Sequence, residues 1–249
     1  MTVAASKKIP LDVLVVQQGH APDQVAARAL VMAGQVVVDD HLVEKPRTLV
    51  APDACVRLKT VPGRYVSRGG DKLAGALDAF QLSVQNKAVL DVGASTGGFT
   101  DCLLQHGAAV VFAVDVGYGQ LAWKLRQDRR VKVLERTNIR ALKAHMLQPA
   151  PDCAVIDASF ASLKGLLPAV APLLSAQGCI LALVKPQFEV APGGLERGGI
   201  VRSEKHYQEI FERLIGSVHA LGMQVRGIVE SPITGQKGNR EFFMYLHLP

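Results

Sequence analysis

Between Lys87 and Asp101 the chain reads Lys-Ala-Val-Leu-Asp-Val-Gly-Ala-Ser-Thr-Gly-Gly-Phe-Thr-Asp. An apolar run long enough for one strand carries an acid, Asp91, then passes through a glycine-rich turn directly into a segment of helical character. Strand, tight turn and helix in this order open a βαβ unit, whose next strand must lie parallel to the first. Glycine lets the backbone approach a ligand without a Cβ clash, and the first N–H groups of the helix face the turn unpartnered. The segment predicts a site for a nucleotide-like ligand built from Asp91, Gly93, Ser95, Gly97, Gly98 and Phe99. Two alternatives stand beside it. The glycines could serve helix packing alone, or Gly93-Ala-Ser95-Thr-Gly97 could be a G-x-S-x-G nucleophile elbow with Ser95 as nucleophile and His206, His219 or His247 downstream. The elbow requires several strands before the serine, whereas this turn opens the first strong βαβ unit.

Strand signals recur at 88–92, 109–115, 131–135, 153–157 and 179–184. Helical stretches lie between most of them, at 98–106, 120–128 and 162–174, after a first helix at 70–80. The alternation predicts an α/β fold with a doubly wound parallel sheet. A helix over 204–221 then leads to strands near 223–230 and 240–247, so the sheet ends in an antiparallel hairpin. That ending is characteristic of S-adenosylmethionine-dependent methyltransferases more than of dinucleotide dehydrogenases, a comparison at the level of fold.

The first sixty residues have another pattern. Helices are expected at 11–18 and 22–33, and short strands at 35–38, 42–43 and 55–59, with a hairpin around Asp39-Asp40-His41. Leu11-Asp12-Val13-Leu14 and the run from Ala29 to Val36 resemble the S4-like RNA-binding domain, although Pro10 stands where that domain usually has arginine. The resemblance implies a small α+β module that contacts RNA through its helix pair and basic residues, Arg28 among them. The organisation expected is an S4-like domain at 1–60, a linker at 61–69 and a catalytic domain at 70–249.

At 249 residues with 49% hydrophobic residues, the chain can bury one substantial core plus a small module. No apolar run reaches membrane-spanning length, and the start lacks the pattern of a signal peptide. Cys55, Cys102, Cys153 and Cys179 are widely spaced without a C-x-x-C pair, which argues against structural zinc, suits a reducing cytoplasm and reads as small buried hydrophobes. The net charge of +6 is concentrated. Lys124, Arg126, Arg129, Arg130, Lys132, Arg136, Arg140 and Lys143 are opposed within their stretch only by Asp128 and Glu135, and Lys59, Arg64, Arg68 and Lys72 form a second cluster. Localised positive charge favours a polyanion, nucleic acid first, over a merely solvated face. Candidate RNA contacts are Arg28, Arg64, Arg68, Lys124, Arg126, Arg129 and Arg130.

Asp115 closes the second strand about twenty residues beyond Gly93, where a carboxylate can accept both ribose hydroxyl protons of an adenosine. Asn138 follows the third strand, with an adenine contact and a plain turn role both open. Four further segments separate the possible ligands: Ser67-Arg-Gly-Gly-Asp-Lys72-Leu73, Val155-Ile-Asp157-Ala-Ser-Phe160, Leu183-Val-Lys185-Pro-Gln-Phe-Glu189 and Gly238-Asn-Arg-Glu241-Phe242. In sequence and order they resemble the TlyA group of FtsJ-like RNA ribose 2′-O-methyltransferases, a likeness that covers nearly the whole chain. It implies S-adenosylmethionine as cofactor, ribosomal RNA or ribosomal subunits as partner, cytidine ribose as target, and a catalytic tetrad of Lys72, Asp157, Lys185 and Glu241. A ribose hydroxyl needs a base to become nucleophilic. Lys185 is the candidate, favoured in its neutral form by a neighbouring Lys72 ammonium, partial burial and the cofactor's sulfonium. Asp157 would orient Lys185, and Glu241 would hold Lys72 or the substrate hydroxyl. Competing readings are an RNA base methyltransferase, a non-catalytic RNA or ribosome binder, and a membrane-lytic protein, since members of this family are often labelled haemolysins. The first lacks paired prolines in its motif, and the last lacks a segment suited to lysis.

Overall fold

A computed structural model of the chain describes residues 8–32, 34–39, 41–58, 64–158, 162–190, 195, 199–235 and 238–249. Ala33, Asp40, Lys59, residues 61–63 of the expected linker, and Ser159 and Phe160 lie outside the described residues. The chain divides into two units, 1–63 and 64–249.

In the first unit, β1 (Ile9–Pro10) leads into α1 (Leu11–Gln17), then α2 (Gln24–Met32), β2 (Val36–Val38), β3 (His41–Leu42), β4 (Leu49–Val50) and β5 (Val56–Leu58). Strand β2 lies between β3 and β5, antiparallel to both. Leu11, Leu14, Val15, Ala27, Val31, Val36, Val38 and Val56 form the core. Helix α2 starts two residues later than expected because the Asp23 carboxylate accepts from the Ala26 N–H at 2.8 Å, occupying a first-turn donor. Asp39 takes a left-handed φ of 45° in the hairpin, and its carboxylate accepts from the Cys55 N–H, so an aspartate tolerates the turn. The β1–β4 pairing, Ile9 with Val50, carries too few residues for a strand period to register in sequence.

The second unit begins with α3 (Gly69–Ala79), followed by β6 (Ala88–Val92), α4 (Gly98–Gln105), β7 (Val110–Val114), α5 (Trp123–Arg126), β8 (Val131–Leu134), β9 (Cys153–Ile156), α6 (Leu163–Val170), β10 (Cys179–Val184), α7 (Pro186–Glu189), α8 (Glu204–Ala220), β11 (Gln224–Glu230) and β12 (Phe242–His247). Its sheet has the order β11-β12-β10-β9-β6-β7-β8. The five strands from β8 to β10 are parallel, and β12 runs antiparallel between β10 and β11. The α/β fold and its terminal hairpin are as expected. Helix α5 is one turn only, and two 3₁₀ turns, Ile139–Ala141 and Ala144–Met146, stand between β8 and β9.

The unbroken apolar strands follow from burial on both faces. In β10, Cys179, Leu181 and Leu183 pack with α3 and α4, while Ile180, Ala182 and Val184 pack with α6 and α8. Cys153 and Cys179 are direct register partners at the starts of β9 and β10, with sulfurs 3.0 Å apart. Three of the four cysteines are buried as expected; Cys55 is exposed, because it lies in the short connection before β5.

Candidate active site

The sheet order reverses between β6 and β9, so the connections leaving their carboxyl ends diverge and leave a crevice. Asp157 follows β9 directly and Lys185 follows β10, which places them on neighbouring strand ends. Lys185 Nζ lies 2.5 Å from Asp157 Oδ1, with side chains 12% and 22% exposed. Lys72 comes from the first turn of α3. Gly98 opens α4 so closely beneath it that a Cβ there would stand 2.2 Å from Ser67 Oγ, so a side chain would force the two helix starts apart. Lys72 Nζ meets Glu241 Oε2 at 2.5 Å, and both residues are buried. All four line one cleft of about 700 Å³ with Gly93, Ser95, Gly98 and Phe99.

A second cavity of about 430 Å³ adjoins the first and shares Gly93, Ser95 and Asp157 with it. Asp115, Asn138, Val116 and Ile139 line it. The Asp115 carboxylate accepts from Ser95 N–H at 2.8 Å and Gly117 N–H at 2.6 Å, which fixes it at the end of β7. Asn138 Oδ1 accepts from Arg140 N–H at 3.0 Å, so this side chain caps a 3₁₀ turn while lining the cavity. Gly93 has φ 86°, and a Cβ there would fall 2.5 Å from the Asp157 carbonyl oxygen. Only glycine keeps the passage between the cavities in this conformation. Two cavities joined over a residue without a side chain, one with a carboxylate and one with lysines, fit an extended ligand such as S-adenosylmethionine.

Other residues singled out in the sequence are placed differently. Asp91 is fully buried and lines neither cavity; Thr100 Oγ1 donates to its Oδ2 at 2.6 Å and its Oδ1 has no partner. Burial pushes its carboxyl up to about 7, against the lowering effect of the Thr100 hydrogen bond. Gly97 caps the start of α4, and a Cβ there would meet Leu121 and Leu125 instead of either cavity. Ser95, exposed at φ 49°, is a turn residue on the rim of both cavities.

Among the described residues, three of the eight cations in the basic stretch are ion-paired within the unit. Arg126 meets Glu135, Arg130 meets Asp128 through two nitrogens, and Lys124 meets Asp101 at 2.9 Å. Arg28 is held at 2.8 Å by fully buried Asp12, Arg64 lies over the Tyr65 ring, and Arg68 lines the cleft while donating to the Thr234 carbonyl. Arg129 is exposed. A charge count over neighbours in sequence cannot see Asp101, which arrives from another element.

Three polar residues at or behind the cleft had no assigned role. Buried Asn239 bridges the Gly199 carbonyl and the Val201 N–H, each at 3.0 Å, and Gln187 lines the cleft beside Lys185. Glu189 accepts from Ser162 Oγ and Leu163 N–H, each at 2.7 Å, placing its carboxylate at the start of α6, where the helix dipole favours it. The signal for all three was their place inside the quoted segments around Lys185 and Glu241.

The FtsJ-like methyltransferase model matches residues 65–248. The chain is 42% identical over 242 residues to the 16S/23S rRNA (cytidine-2′-O)-methyltransferase TlyA of Mycobacterium tuberculosis, covering 97% of this chain and 90% of that one. It is 37% identical to hemolysin A of Brachyspira hyodysenteriae, over 94% of this chain and 98% of that one. A solved structure from Streptococcus thermophilus, 43% identical, superposes with a TM-score of 0.74 over 98% of this chain and 89% of the other.

Proposed function

The chain belongs to the FtsJ-like methyltransferase family, and from that premise we propose that it methylates ribosomal RNA at the ribose 2′-hydroxyl of cytidine. One observation carries the reading: two lysine–carboxylate pairs, Lys72–Glu241 and Lys185–Asp157, face one cleft beside the glycine turn. Bound S-adenosylmethionine supplies an electrophilic methyl group for in-line transfer from sulfur to oxygen. Asp115, Gly93 and Ser95 would hold it, with Asn138 at the far end of the smaller cavity.

The protein's own part is to position the hydroxyl and accept its proton. Lys185 Nζ is the acceptor. Its resting ion pair with Asp157 orients Nζ in the cleft, and the proton of that ammonium must leave through the open side before transfer. When the hydroxyl proton moves to Nζ, the pair holds one proton more than before, which leaves through the open side of the cleft. Lys72, fixed by Glu241, holds an ammonium at the cleft wall as a hydrogen-bond donor for the developing alkoxide. Among the described residues no helix is long and apolar enough to cross a membrane.

The test incubates the protein with S-adenosylmethionine labelled in the methyl group and with ribosomal RNA or subunits, followed by alkaline digestion. A 2′-O-methyl group blocks cleavage at its own phosphodiester, so label is expected in alkali-resistant dinucleotides with cytidine on the 5′ side. Label confined to mononucleotides would reject ribose as the acceptor.

A further inference from the structure

Among the described residues, Tyr118 and Trp123 are the Phe, Tyr or Trp side chains that stand exposed, at 67% and 71%. Both lie in the short connection from β7 through the start of α5, where Val116 is 72% exposed as well. Rings of this size ordinarily cover much of their surface with protein. Here Leu121 and Leu125 anchor the segment in the core, and the aromatics turn outward.

The segment lies at the rim of the cleft. Ala122 N–H donates to the Thr96 carbonyl at 3.1 Å, joining the start of α5 to the glycine turn, and Thr96 lines the cleft. Lys124 keeps its side chain 59% exposed while its ammonium meets Asp101. The same Asp101 carboxylate oxygen accepts from Val66 N–H at 2.8 Å, two residues before Arg68 of the cleft wall. Arg136, held at a left-handed φ of 52°, lays its guanidinium 4.1 Å from the centre of the Tyr118 ring. Flat aromatic faces interleaved with cations are what unpaired bases on a phosphate backbone require.

We propose that Trp123 and Tyr118 form a stacking platform for unpaired RNA nucleotides flanking the one whose ribose enters the cleft. The inference rests on the RNA-methylation reading and extends it to how the substrate is held. A protein partner would also cover apolar rings, but the flanking Lys124 and Arg136 match a polyanion.

Trp123 is the chain's one tryptophan, so its emission reports on the platform directly. The experiment titrates the full chain with an unstructured RNA oligonucleotide without cofactor, then measures methyl transfer to ribosomal RNA by Trp123→Ala and Trp123→Phe. Emission should be quenched by RNA and recover as salt rises. Trp123→Ala should raise KM for RNA roughly five- to a hundredfold, the range of one lost base stack. S-adenosylmethionine affinity should be unchanged, and Trp123→Phe should restore most of the loss. Emission indifferent to RNA, or an unaltered KM in Trp123→Ala, overturns the platform. Quenching by ribosomal protein in place of RNA also overturns it and assigns the patch to a protein. Ribose methylation with a normal KM in the variant sinks the platform alone; quenching and weakened binding with label on a base sink the ribose reading alone.

Discussion

The two lysine–carboxylate pairs are alike in chemistry and unlike in setting. Both border the cleft, but Lys72–Glu241 is the more buried, with both side chains less than a tenth exposed, whereas Asp157 of the other pair is 22% exposed and also borders the smaller cavity. The more buried pair is net neutral and holds a fixed geometry. An open pair can exchange a proton with a hydroxyl and then with water. The same residue types thus divide into a scaffold and a working site through burial alone.

The largest effect should come from the open pair. Lys185→Ala is expected to lower methyl transfer by about 10²–10⁴-fold, the usual contribution of a general base, with the thermal midpoint nearly unchanged. Near-normal turnover in that variant would remove Lys185 as base. Glu241→Gln should do the reverse in emphasis, leaving a buried ammonium without its counter-charge at a cost of about 3–5 kcal/mol. For a domain of this size that corresponds to a fall in Tm of roughly 6–20 °C in a calorimetric scan. The double variant Lys72→Met/Glu241→Leu should recover much of that Tm while remaining inactive. If it stayed as unstable as the single variant, burial would not be the distinction between the pairs.

Asp91 lies below the open pair, and the Asp157 charge adds to the upward push of burial on its carboxyl. A carboxyl raised from 3.8 to about 7 holds a proton in the folded state that the unfolded chain has already released. Stability from this group is therefore present below about pH 4 and lost progressively as pH rises toward 7. Asp91→Asn should be more stable than the parent at pH 8 by on the order of a few kcal/mol, with the gap closing toward pH 5. A constant gap across pH would show that Asp91 does not titrate in this window. The smallest effect belongs to the rim: Lys124→Ala should cost under about 1 kcal/mol of stability as an exposed pair. If Lys124 contacts a phosphate, the same variant should also reduce the salt dependence of RNA binding by about 0.7 in log–log slope.

The second unit was legible because its strands are buried on both faces and its turns are marked by glycine and acids at strand ends. β10 reads as an uninterrupted Cys-Ile-Leu-Ala-Leu-Val since neither face meets water. Lys72, Asp157, Lys185 and Glu241 were found through whole segments, and Asp157 was expected beside Lys185; Glu241 was left between Lys72 and the substrate hydroxyl, because the partner it meets lies 169 residues away in the chain. Asp91 and Gly97 were assigned to the ligand on position in the turn, yet what each faces depends on what packs behind the turn, Thr100 for one and Leu121 and Leu125 for the other. The charge stretch could not be read cation by cation for a related reason. Arg126 and Arg130 lie beside acids whose distance in space, more than their number, decides whether a cation is available to a partner.

Gly93, Ser95 and Asp157 border both cavities. An extended ligand seated in the two is therefore held at its middle by these three residues, and the missing side chain at Gly93, where a Cβ would fall 2.5 Å from the Asp157 carbonyl oxygen, sets how closely that middle approaches the end of β9.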